Sequence, residues 1–260
     1  MIIFVSDMHF GRGDLPTERN EELSLISCLN TYAAEIKHLF LLGDVFDEYI
    51  EYRHLVPKGL VRFQGFLAQW TDKGIPVTYL KGNHDPWHIN YFETELGVSV
   101  HDGPLIEPLL GHNVYMHHGD VTGSRIPFYS LLKHLLRHPI PVQLYRTILP
   151  GDAGFGLARW VNSRLHTEKL NMPAVEALRR YAYDTLEDEK NDYLILGHSH
   201  YPERHDWPQG TYINTGSWRF NRTFVCLSEQ GMNLMRWTGK KACIWDPEDA
   251  SQKKLSVTLQ

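Results

Sequence analysis

The sequence predicts a mixed α/β (α+β) fold, because strand-like and helix-like segments alternate over its first half and polar residues follow the strands directly. Apolar runs with strand character stand at residues 2–5, 39–42 and 77–80, and helix-like segments separate them. This β-α-β rhythm is typical of parallel strands joined by helical crossovers. From Ile213 the pattern changes to short β-rich pieces with a turn at Gly231, which favours an antiparallel hairpin. We therefore expect layers of parallel and antiparallel strands with helices outside.

Local signals place the individual elements. A first helix is predicted over residues 17–36, where acidic residues in the opening turn suit the positive end of a helix dipole. A second helix is predicted over residues 55–73, because Gly74 and Pro76 stop it. The strand-like runs that precede polar turns are 2–5, 39–42, 77–80, 114–116 and 193–196. Five separate strands thus deliver polar residues to their own ends.

Residues 121–189 are predicted to form an inserted helical cap, because the strand signal disappears there and prolines divide the segment into helices. Residues 1–120 and 190–245 then form the core, and residues 246–260 form a flexible polar tail. An apolar stripe at helical spacing runs through the cap, and packing within the cap is favoured over a lipid groove as its explanation. The stripe comprises Phe128, Leu131, Leu132, Leu135, Leu136, Val142, Leu144, Tyr145, Ile148 and Leu149.

The composition is typical of a soluble globular enzyme. Of the 260 residues, 42% are hydrophobic and 22% are charged, which excludes a disordered or fibrous chain. No apolar stretch reaches membrane-spanning length, and a cleaved signal peptide would remove the polar residues after the first strand, so we expect a cytoplasmic protein. Cys28, Cys226 and Cys243 have no ligand spacing and are interpreted as reduced thiols. The sequence leaves the oligomeric state open.

The charge is distributed unevenly along the chain. A net charge of -5 disfavours a nucleic-acid partner, because such proteins usually present a basic surface. Within residues 121–167, however, Asp152 is the only acid, and this cationic segment suits an anionic substrate or an anionic lipid surface. A solvated basic face is the alternative interpretation. The basic residues of the segment are Arg125, Lys133, Arg137, Arg146, Arg159 and Arg164.

The polar residues after the five strands are carboxylates, an amide and imidazoles. In an α/β sheet the loops after the C-terminal ends of the strands converge on one crevice, so we expect these side chains to meet. A set of oxygen and nitrogen donors without thiolate favours two divalent metal ions, with manganese first, iron and zinc as alternatives, and calcium disfavoured. The predicted ligands are Asp7, His9, Asp44, Asn83, His118, His198 and His200.

The spacing divides these ligands between two cations. His198 and His200 are two residues apart, so both imidazoles lie on the same side of an extended segment. Asp44 is the natural bridge, because a carboxylate offers two oxygens. A hydroxide held between the cations would then attack phosphorus in line. The first cation is assigned Asp7, His9, Asp44 and His200, and the second is assigned Asp44, Asn83, His118 and His198.

Five motifs in this order, D-x-H at residue 7, G-D-x-x-D at 43, G-N-H-D at 82, H-G-D at 118 and G-H-x-H at 197, resemble the calcineurin-like metallophosphoesterase superfamily. The resemblance spans residues 7–200 and, with residues 214–217, nearly the whole core. It implies a four-layer αββα sandwich of mixed sheets. It also implies catalytic roles for Asp44, Asn83 and His84, with His84 protonating the leaving oxygen or stabilising the transition state.

Within that superfamily the chain is similar to the UDP-2,3-diacylglucosamine pyrophosphohydrolases. The similarity lies in the helical segment directly after H-G-D, the chain length, and the cap residues 162–164 and 169. Two features differ: His84 replaces the Arg that many of those hydrolases carry, and the segment after Asp120 lacks their acidic and Thr-rich pattern. The resemblance implies that Phe128 and Tyr129 line an acyl chamber. The substrate contacts that it implies are Asn83, Phe128, Tyr129, Asn162, Arg164 and Lys169.

The expected function is hydrolysis of the pyrophosphate of a UDP-diacylglucosamine-like lipid, in the lipid A pathway, to UMP and an acylated sugar 1-phosphate. The expected partners are this anionic nucleotide-sugar lipid and a membrane surface, which would place the protein peripherally on the inner membrane. A general phosphodiesterase or nucleotide phosphatase of the same fold is one alternative. A non-catalytic binding scaffold is the other, and it is disfavoured because no ligand position is missing.

Several further polar residues have two interpretations each. Asp47, Asp85 and Asp120 either orient the imidazoles or stabilise turns. Asn214 and Ser217 either support the loop of His200 or belong to an ordinary turn. Histidines outside the motifs are interpreted as surface or packing residues.

Overall fold

The computed structural model describes residues 1–120, 137–165 and 170–248. Among the predicted substrate contacts, Phe128, Tyr129 and Lys169 lie outside these ranges, as does the side chain of Asn162. The described residues form two sheets that pack face to face with helices on their outer faces. The predicted mixed α/β fold is therefore confirmed.

The first sheet has seven strands in the order β12-β11-β10-β1-β2-β3-β4. Strands β1 to β4 pair in parallel, with Ile2 opposite His38 and Leu39 opposite Val77. Strands β10 to β12 are antiparallel, and Gly231 makes the turn between β10 and β11 at a φ of 104°. The strands are β1 Ile2–Val5, β2 His38–Leu42, β3 Val77–Leu80, β4 Ser99–His101, β10 Thr223–Ser228, β11 Gly231–Trp237 and β12 Ala242–Ile244.

The second sheet has five strands in the order β5-β6-β7-β9-β8. Strands β6, β7 and β9 pair in parallel, whereas β5 and β8 are antiparallel edges. The strands are β5 Leu105–Leu109, β6 His112–Met116, β7 Tyr193–Leu196, β8 Glu203–Trp207 and β9 Gly210–Asn214. The loops after β6 and β7 therefore open at the same edge, because parallel strands end on the same side of a sheet.

Seven helices accompany the sheets in the described ranges. The first starts before the predicted residue 17, because the Asp14 carboxylate accepts a hydrogen bond from Thr17 N and Pro16 suits the first helical turn. The second starts later than predicted, since Leu60 adopts a left-handed φ of 51° just before it. The helices are α1 Leu15–Thr31, α2 Val61–Asp72, α3 Tyr91–Thr94, α4 Pro139–Ile148, α5 Gly151–Leu165, α6 Met172–Glu189 and α7 Trp218–Asn221.

Three apolar clusters hold the layers together. Helices α1 and α2 bury Leu25 and Trp70 against the outer face of the first sheet. Phe40 and Ile195 belong to the cluster that fills the space between the two sheets. Helix α6 buries Leu178 and its neighbours against the outer face of the second sheet. The order helix, sheet, sheet, helix is the expected αββα sandwich, and its fourth layer comes from the end of the segment 121–189.

Helices α4 and α5 dock on the core through a smaller cluster. Val142 is buried with Ile50 and Trp87, and Tyr145 packs beside them. The first half of the predicted apolar stripe, residues 128–136, lies outside the described ranges. In its second half Val142 is buried, whereas Leu144 and Ile148 of α4 are 57% and 65% exposed. No helix within the described ranges is long and apolar enough to cross a membrane.

Candidate metal centre

The candidate site forms where five strands end, and its backbone turns sharply at the predicted ligands. Asp7, His9, Asp44, His198 and His200 all adopt left-handed φ angles between 45° and 69°. Such conformations cost about 1–3 kcal/mol each for residues other than glycine and persist only where the surroundings enforce them. The chain therefore carries backbone strain at five of the seven predicted ligand positions.

Two glycines allow the site loops to approach each other closely. A Cβ on Gly82 would lie 2.1 Å from Asp44 Oδ1, and a Cβ on Gly43 would lie 2.7 Å from His118 Nδ1. Real Cβ atoms do not approach polar atoms this closely, so neither position tolerates a side chain in this geometry. The glycines of the G-D-x-x-D and G-N-H-D motifs thus bring the second, third and fourth site loops together.

The first group of predicted ligands comprises Asp7, His9 and His200. His200 Nε2 lies 3.1 Å from Asp7 Oδ1 and 3.0 Å from His9 Nε2. His9 Nε2 in turn lies 3.8 Å from Asp7 Oδ1 and 3.8 Å from Asp44 Oδ2. Residues from the ends of β1 and β7, nearly two hundred positions apart in sequence, therefore meet at one point beside Asp44.

The second group comprises Asn83, His118 and His198, again beside Asp44. His118 Nε2 lies 3.3 Å from Asp44 Oδ2 and 3.1 Å from Asn83 Oδ1. The rings of His118 and His198 are 5.1 Å apart, and ligand atoms of Asp44, His118 and His198 lie within 4.8 Å of one another. The structure thus brings all seven predicted ligands together, with Asp44 in reach of both groups.

The donor atoms are arranged as a divalent cation requires. Asp7 Oδ1 is buried and accepts no hydrogen bond, although a buried carboxylate oxygen normally has a partner. The Nε2 atoms of His9 and His200 face each other at 3.0 Å. A carboxylate oxygen without a hydrogen bond and imidazole nitrogens directed at one point are suited to metal coordination. These residues therefore fit the metal ions that the motifs imply.

Backbone carbonyls fix which imidazole nitrogen carries the proton. His118 Nδ1 donates to Leu42 O at 2.8 Å, because a carbonyl can only accept, so Nε2 is the nitrogen that faces the site. His84 Nδ1 donates to Asp47 O at 2.8 Å in the same way. His84 Nε2 then faces Asp44 Oδ2 at 3.9 Å. His84 accordingly lies in the site with its Nε2 next to the shared carboxylate.

Burial and the carboxylates move the histidine pKa values in opposite directions. Burial lowers the pKa of His9 to about 3 and that of His198 to about 4, so both rings are neutral near pH 7. Burial also disfavours the charged form of His118, but the carboxylates of Asp44, Asp7 and Asp120 together outweigh it and raise its pKa to about 10. His118 therefore carries the proton that balances the buried Asp44 carboxylate in the absence of metal.

The three aspartates left with two interpretations take different roles. Asp85 stabilises turns, since it accepts from Val45 N at 2.7 Å and Gly82 N at 2.8 Å as well as from Tyr79. Asp47 lies beside an imidazole, with its Oδ1 3.3 Å from His9 Nδ1. Asp120 accepts from an arginine of the helical segment, as described below. The order of residues in the motifs gives no means to separate these roles.

Residues after β9 support the site from behind. Asn214 Nδ2 donates to Gly197 O at 2.7 Å, directly before His198. Ser217 Oγ donates to Asp7 O at 2.8 Å. Of the two interpretations for Asn214 and Ser217, the contacts favour support of the ligand loops over an ordinary turn.

The arginines of the helical segment are held by the core. Arg137 donates to Gly82 O at 3.2 Å, Arg146 to Trp87 O at 2.8 Å, and Arg159 to Gly11 O at 3.2 Å. Each of these three arginines thus contacts a loop carbonyl of the core, and the expectation that the cationic segment suits an anionic ligand or lipid surface stays a prediction. Arg164 is exposed and lies over the Trp160 ring, 5.2 Å from its centroid, rather than in the ligand cluster.

Two site arginines carried no usable signal in the sequence. Arg12 Nε donates to Asp47 Oδ1 at 2.7 Å and so stands behind His9. Arg137 contacts Asp120 and Gly82, far from it in the chain. Arg12 could have been found only by its closeness to the D-x-H motif. Arg137 lies in a segment where arginines are frequent, and nothing distinguishes it there.

The geometry agrees with a comparison against known families. A model of the calcineurin-like phosphoesterases matches residues 1–202, which include every predicted metal ligand. The chain belongs to this family.

Curated relatives cover most of the chain. The chain is similar to proteins named UDP-2,3-diacylglucosamine hydrolase. The one from Porphyromonas gingivalis is 31% identical over 216 residues, or 76% of this chain and 82% of the relative. The one from Pseudomonas putida is 27% identical over 251 residues, or 90% of this chain and 98% of the relative. A solved structure of the phosphoesterase Yfce from E. coli is 16% identical with a TM-score of 0.47, covering 93% of this chain and 95% of that one.

Proposed function

We propose that the chain is a dinuclear metal-dependent pyrophosphohydrolase that cleaves the diphosphate of a UDP-2,3-diacylglucosamine-like lipid to UMP and an acylated sugar 1-phosphate. The observation that carries this proposal is the convergence of two ligand groups on Asp44. The relatives named UDP-2,3-diacylglucosamine hydrolase, at 31% and 27% identity, support the substrate class.

The two ligand groups would each hold one divalent ion, with manganese favoured over iron and zinc. When bound, such ions lower the pKa of water and stabilise negative charge on phosphate oxygens. His118 must give up the proton that balances Asp44 before it can act as a ligand, so the apparent metal affinity should increase with pH. Asp7, His9, Asp44 and His200 form the first proposed ligand group, and Asp44, Asn83, His118 and His198 form the second.

His84, Asn83 and Asp44 are the proposed catalytic residues. The Nδ1 proton of His84 is held by Asp47 O, so its Nε2 is the atom that can donate or accept a proton at the site. The amide of Asn83 lies against His118 and can contact a phosphate oxygen as well as the metal. The Asp44 carboxylate is held by the backbone amide of His84 at 2.9 Å, which fixes its orientation for both ligand groups.

Exposed apolar side chains support the lipid part of the proposal. Ile140, Leu144 and Ile148 recur at every fourth residue of α4 and are 70%, 57% and 65% exposed. Trp160 of α5 is 56% exposed and carries Arg164 over its ring. Apolar stripes next to cationic residues suit acyl chains or a membrane interface, so a peripheral position on the membrane is part of the proposal. Phe128, Tyr129, Asn162, Arg164 and Lys169 remain the proposed substrate contacts.

A phosphodiesterase is the second candidate, and His84 is the observation that favours it. Its side chain is 4% exposed, and its ring is oriented by Asp47 O with Nε2 toward Asp44. A proton donor in this position helps most when the leaving group is an alkoxide, which is a strong base. A phosphomonoester leaving from a pyrophosphate hardly needs such a proton. The second candidate therefore predicts faster cleavage of simple phosphodiesters.

A panel of substrates assayed with metal-free protein tests the proposal. We expect UMP release from UDP-2,3-diacylglucosamine that depends on added Mn²⁺, with little cleavage of the same nucleotide sugar without acyl chains. Rapid cleavage of bis(p-nitrophenyl) phosphate with the lipid left intact would select the phosphodiesterase instead. Absence of hydrolysis of any phosphate ester at saturating Mn²⁺, Fe²⁺ and Zn²⁺ would reject both.

A further inference from the structure

Arg137 joins three loops at the edge of the candidate metal centre. Its Nη2 donates to Gly82 O at 3.2 Å and to Asp120 Oδ2 at 2.8 Å. Its Nη1 donates to Asp102 Oδ1 at 3.1 Å. The side chain is 22% exposed, so the guanidinium is largely occupied by the protein. A planar guanidinium makes these contacts with one rigid fork, which the ammonium of a lysine cannot do.

Two of these contacts act on residues next to predicted ligands. Gly82 directly precedes Asn83, and Asp120 follows His118 by two residues. Asn83 Oδ1 and His118 Nε2 lie 3.1 Å apart, so the two loops meet at the second ligand group. Gly82 also packs so tightly against Asp44 that a Cβ would lie 2.1 Å from its Oδ1. A displacement of either loop would therefore move ligands of the second group.

A different arginine stabilises the first ligand group. Arg12 donates to Asp47 Oδ1 at 2.7 Å, and the same oxygen lies 3.3 Å from His9 Nδ1. Arg12 follows His9 by three residues, so this brace comes from the core itself. Arg137, in contrast, comes from the helical segment that docks on the core through Val142. The arginine that stabilises the first ligand group therefore belongs to the core, and the one that stabilises the second belongs to the helical segment.

We propose that Arg137 is a positioning residue for the second ligand group, so that binding of the second metal ion depends on the contacts of Arg137 with Gly82 and Asp120. The arginine acts through Gly82 and Asp120 and does not touch the substrate. This inference rests on the proposed function in that it assumes two ions. Loss of Arg137 should weaken the second binding step and leave the first unchanged.

Arg146 provides a matched control. It lies on the same docked segment and donates to Trp87 O at 2.8 Å, also a loop carbonyl. Trp87 stands four residues after Asn83 and three after His84, and no predicted ligand adjoins it. Loss of Arg146 therefore removes a contact between α4 and the core without removing one next to a metal ligand. A purely structural role for Arg137 would make the two variants behave alike.

Manganese titration of the full-length, metal-free protein tests the inference. We expect wild-type protein to bind two Mn²⁺ and to show the electron paramagnetic resonance spectrum of an exchange-coupled pair. In Arg137→Gln we expect the first Kd to stay within twofold, the second Kd to rise about 10–100-fold, and the coupled spectrum to be lost at low Mn²⁺. Arg146→Gln should lower Tm but keep both Kd values. Arg137→Lys should regain stability but not the second Kd.

Asp120→Asn keeps the inference testable if Arg137→Gln fails to fold, because it removes the same contact from the other side and should weaken the same binding step. Unchanged second binding in either folded variant, or equal weakening in Arg146→Gln, would overturn the inference. Wild-type protein that binds a single Mn²⁺ overturns it together with the dinuclear proposal. Two bound ions without hydrolysis of the lipid would reject the proposed substrate only, since this test measures metal binding.

Discussion

The site loops and the helical segment hold their charged residues in different ways. In the loops, short side chains such as Asp7 and His9 sit on left-handed turns directly after strands, so the backbone fixes where their donor atoms lie. On α4 and α5, arginines such as Arg146 and Arg159 reach across to loop carbonyls. The position of the backbone therefore determines the position of a short side chain, whereas a long side chain can contact any of several partners around it.

This difference decides what can be inferred about each region. The loop residues meet because parallel strands end at the same edge of a sheet. The positions of the motifs in the sequence are therefore enough to predict that these residues lie close together. The positive charge of the helical segment favours an anionic ligand, but charge alone does not show that three of its arginines contact loop carbonyls. Mutations in the loops should therefore change the chemistry strongly, and mutations on the helices should change it modestly and through substrate or docking.

The largest effect is expected for Asp44→Asn. It keeps the size of the side chain but removes the charge that both ligand groups share, so we expect kcat/KM to fall by about a thousandfold or more and Mn²⁺ binding to weaken. Steady-state kinetics with the lipid substrate and a manganese titration measure both. Asp206→Asn is the matched control, because Asp206 is exposed on the edge strand β8, and its kcat/KM should stay within twofold of wild type. A variant with near wild-type activity would remove Asp44 from the site.

The fold and the convergence of the seven proposed ligands could be predicted from the sequence, because both depend on local rules. Apolar runs such as 39–42 followed by Gly43 and Asp44 specify a strand and then a polar turn, and this pattern occurs five times in the sequence. The ends of helices were less accurate. The first helix begins at Leu15, two residues before its predicted start, because Asp14 caps it, and the second begins only after the left-handed Leu60.

The arginine contacts around the site could not be predicted from the sequence. Arg137 meets Asp120 and Gly82 across separations of 17 and 55 residues, and such contacts leave no local pattern. The sequence also does not show which residues of α4 are exposed, since Val142 and Leu144 belong to the same apolar stripe but only Val142 of the two is buried. Which side of a helix is covered depends on tertiary packing rather than on spacing alone.

The second largest effect is expected for His84→Gln, and its size should depend on the leaving group of the substrate. Gln removes the imidazole proton donor, so we expect about a hundredfold loss with a phosphodiester that has an alkoxide leaving group. For the pyrophosphate lipid the loss should be less than about tenfold, because its leaving group needs no proton. Parallel kcat measurements on both substrates test this, with the exposed His54→Gln as control. Equal losses on both substrates would argue against proton donation by His84.

A third effect concerns the close approach of the site loops. In Gly82→Ala the added Cβ would lie 2.1 Å from Asp44 Oδ1, so the loops must separate. We expect a loss of about 2–3 kcal/mol in the free energy of unfolding together with weaker Mn²⁺ binding. Gly65→Ala in α2 is the matched control, because nothing lies within 4 Å of its new Cβ, and the helix should gain about 0.5–1 kcal/mol. Chemical denaturation of both variants gives the comparison.

The smallest effect is expected on the helical segment, for Leu144→Ser. Leu144 is 57% exposed on α4, so its replacement should leave folding and metal binding nearly unchanged. If the stripe contacts acyl chains, losing one leucine contact of about 1.5 kcal/mol should raise KM for the lipid about tenfold and leave kcat for a water-soluble diphosphate intact. Leu23→Ser on α1, 46% exposed, is the matched control and should alter neither value. If Leu144→Ser lost activity on the soluble diphosphate, α4 would act on the metal loops rather than on the lipid. If its KM for the lipid stayed at the wild-type value, the apolar stripe of α4 would have no part in substrate recognition.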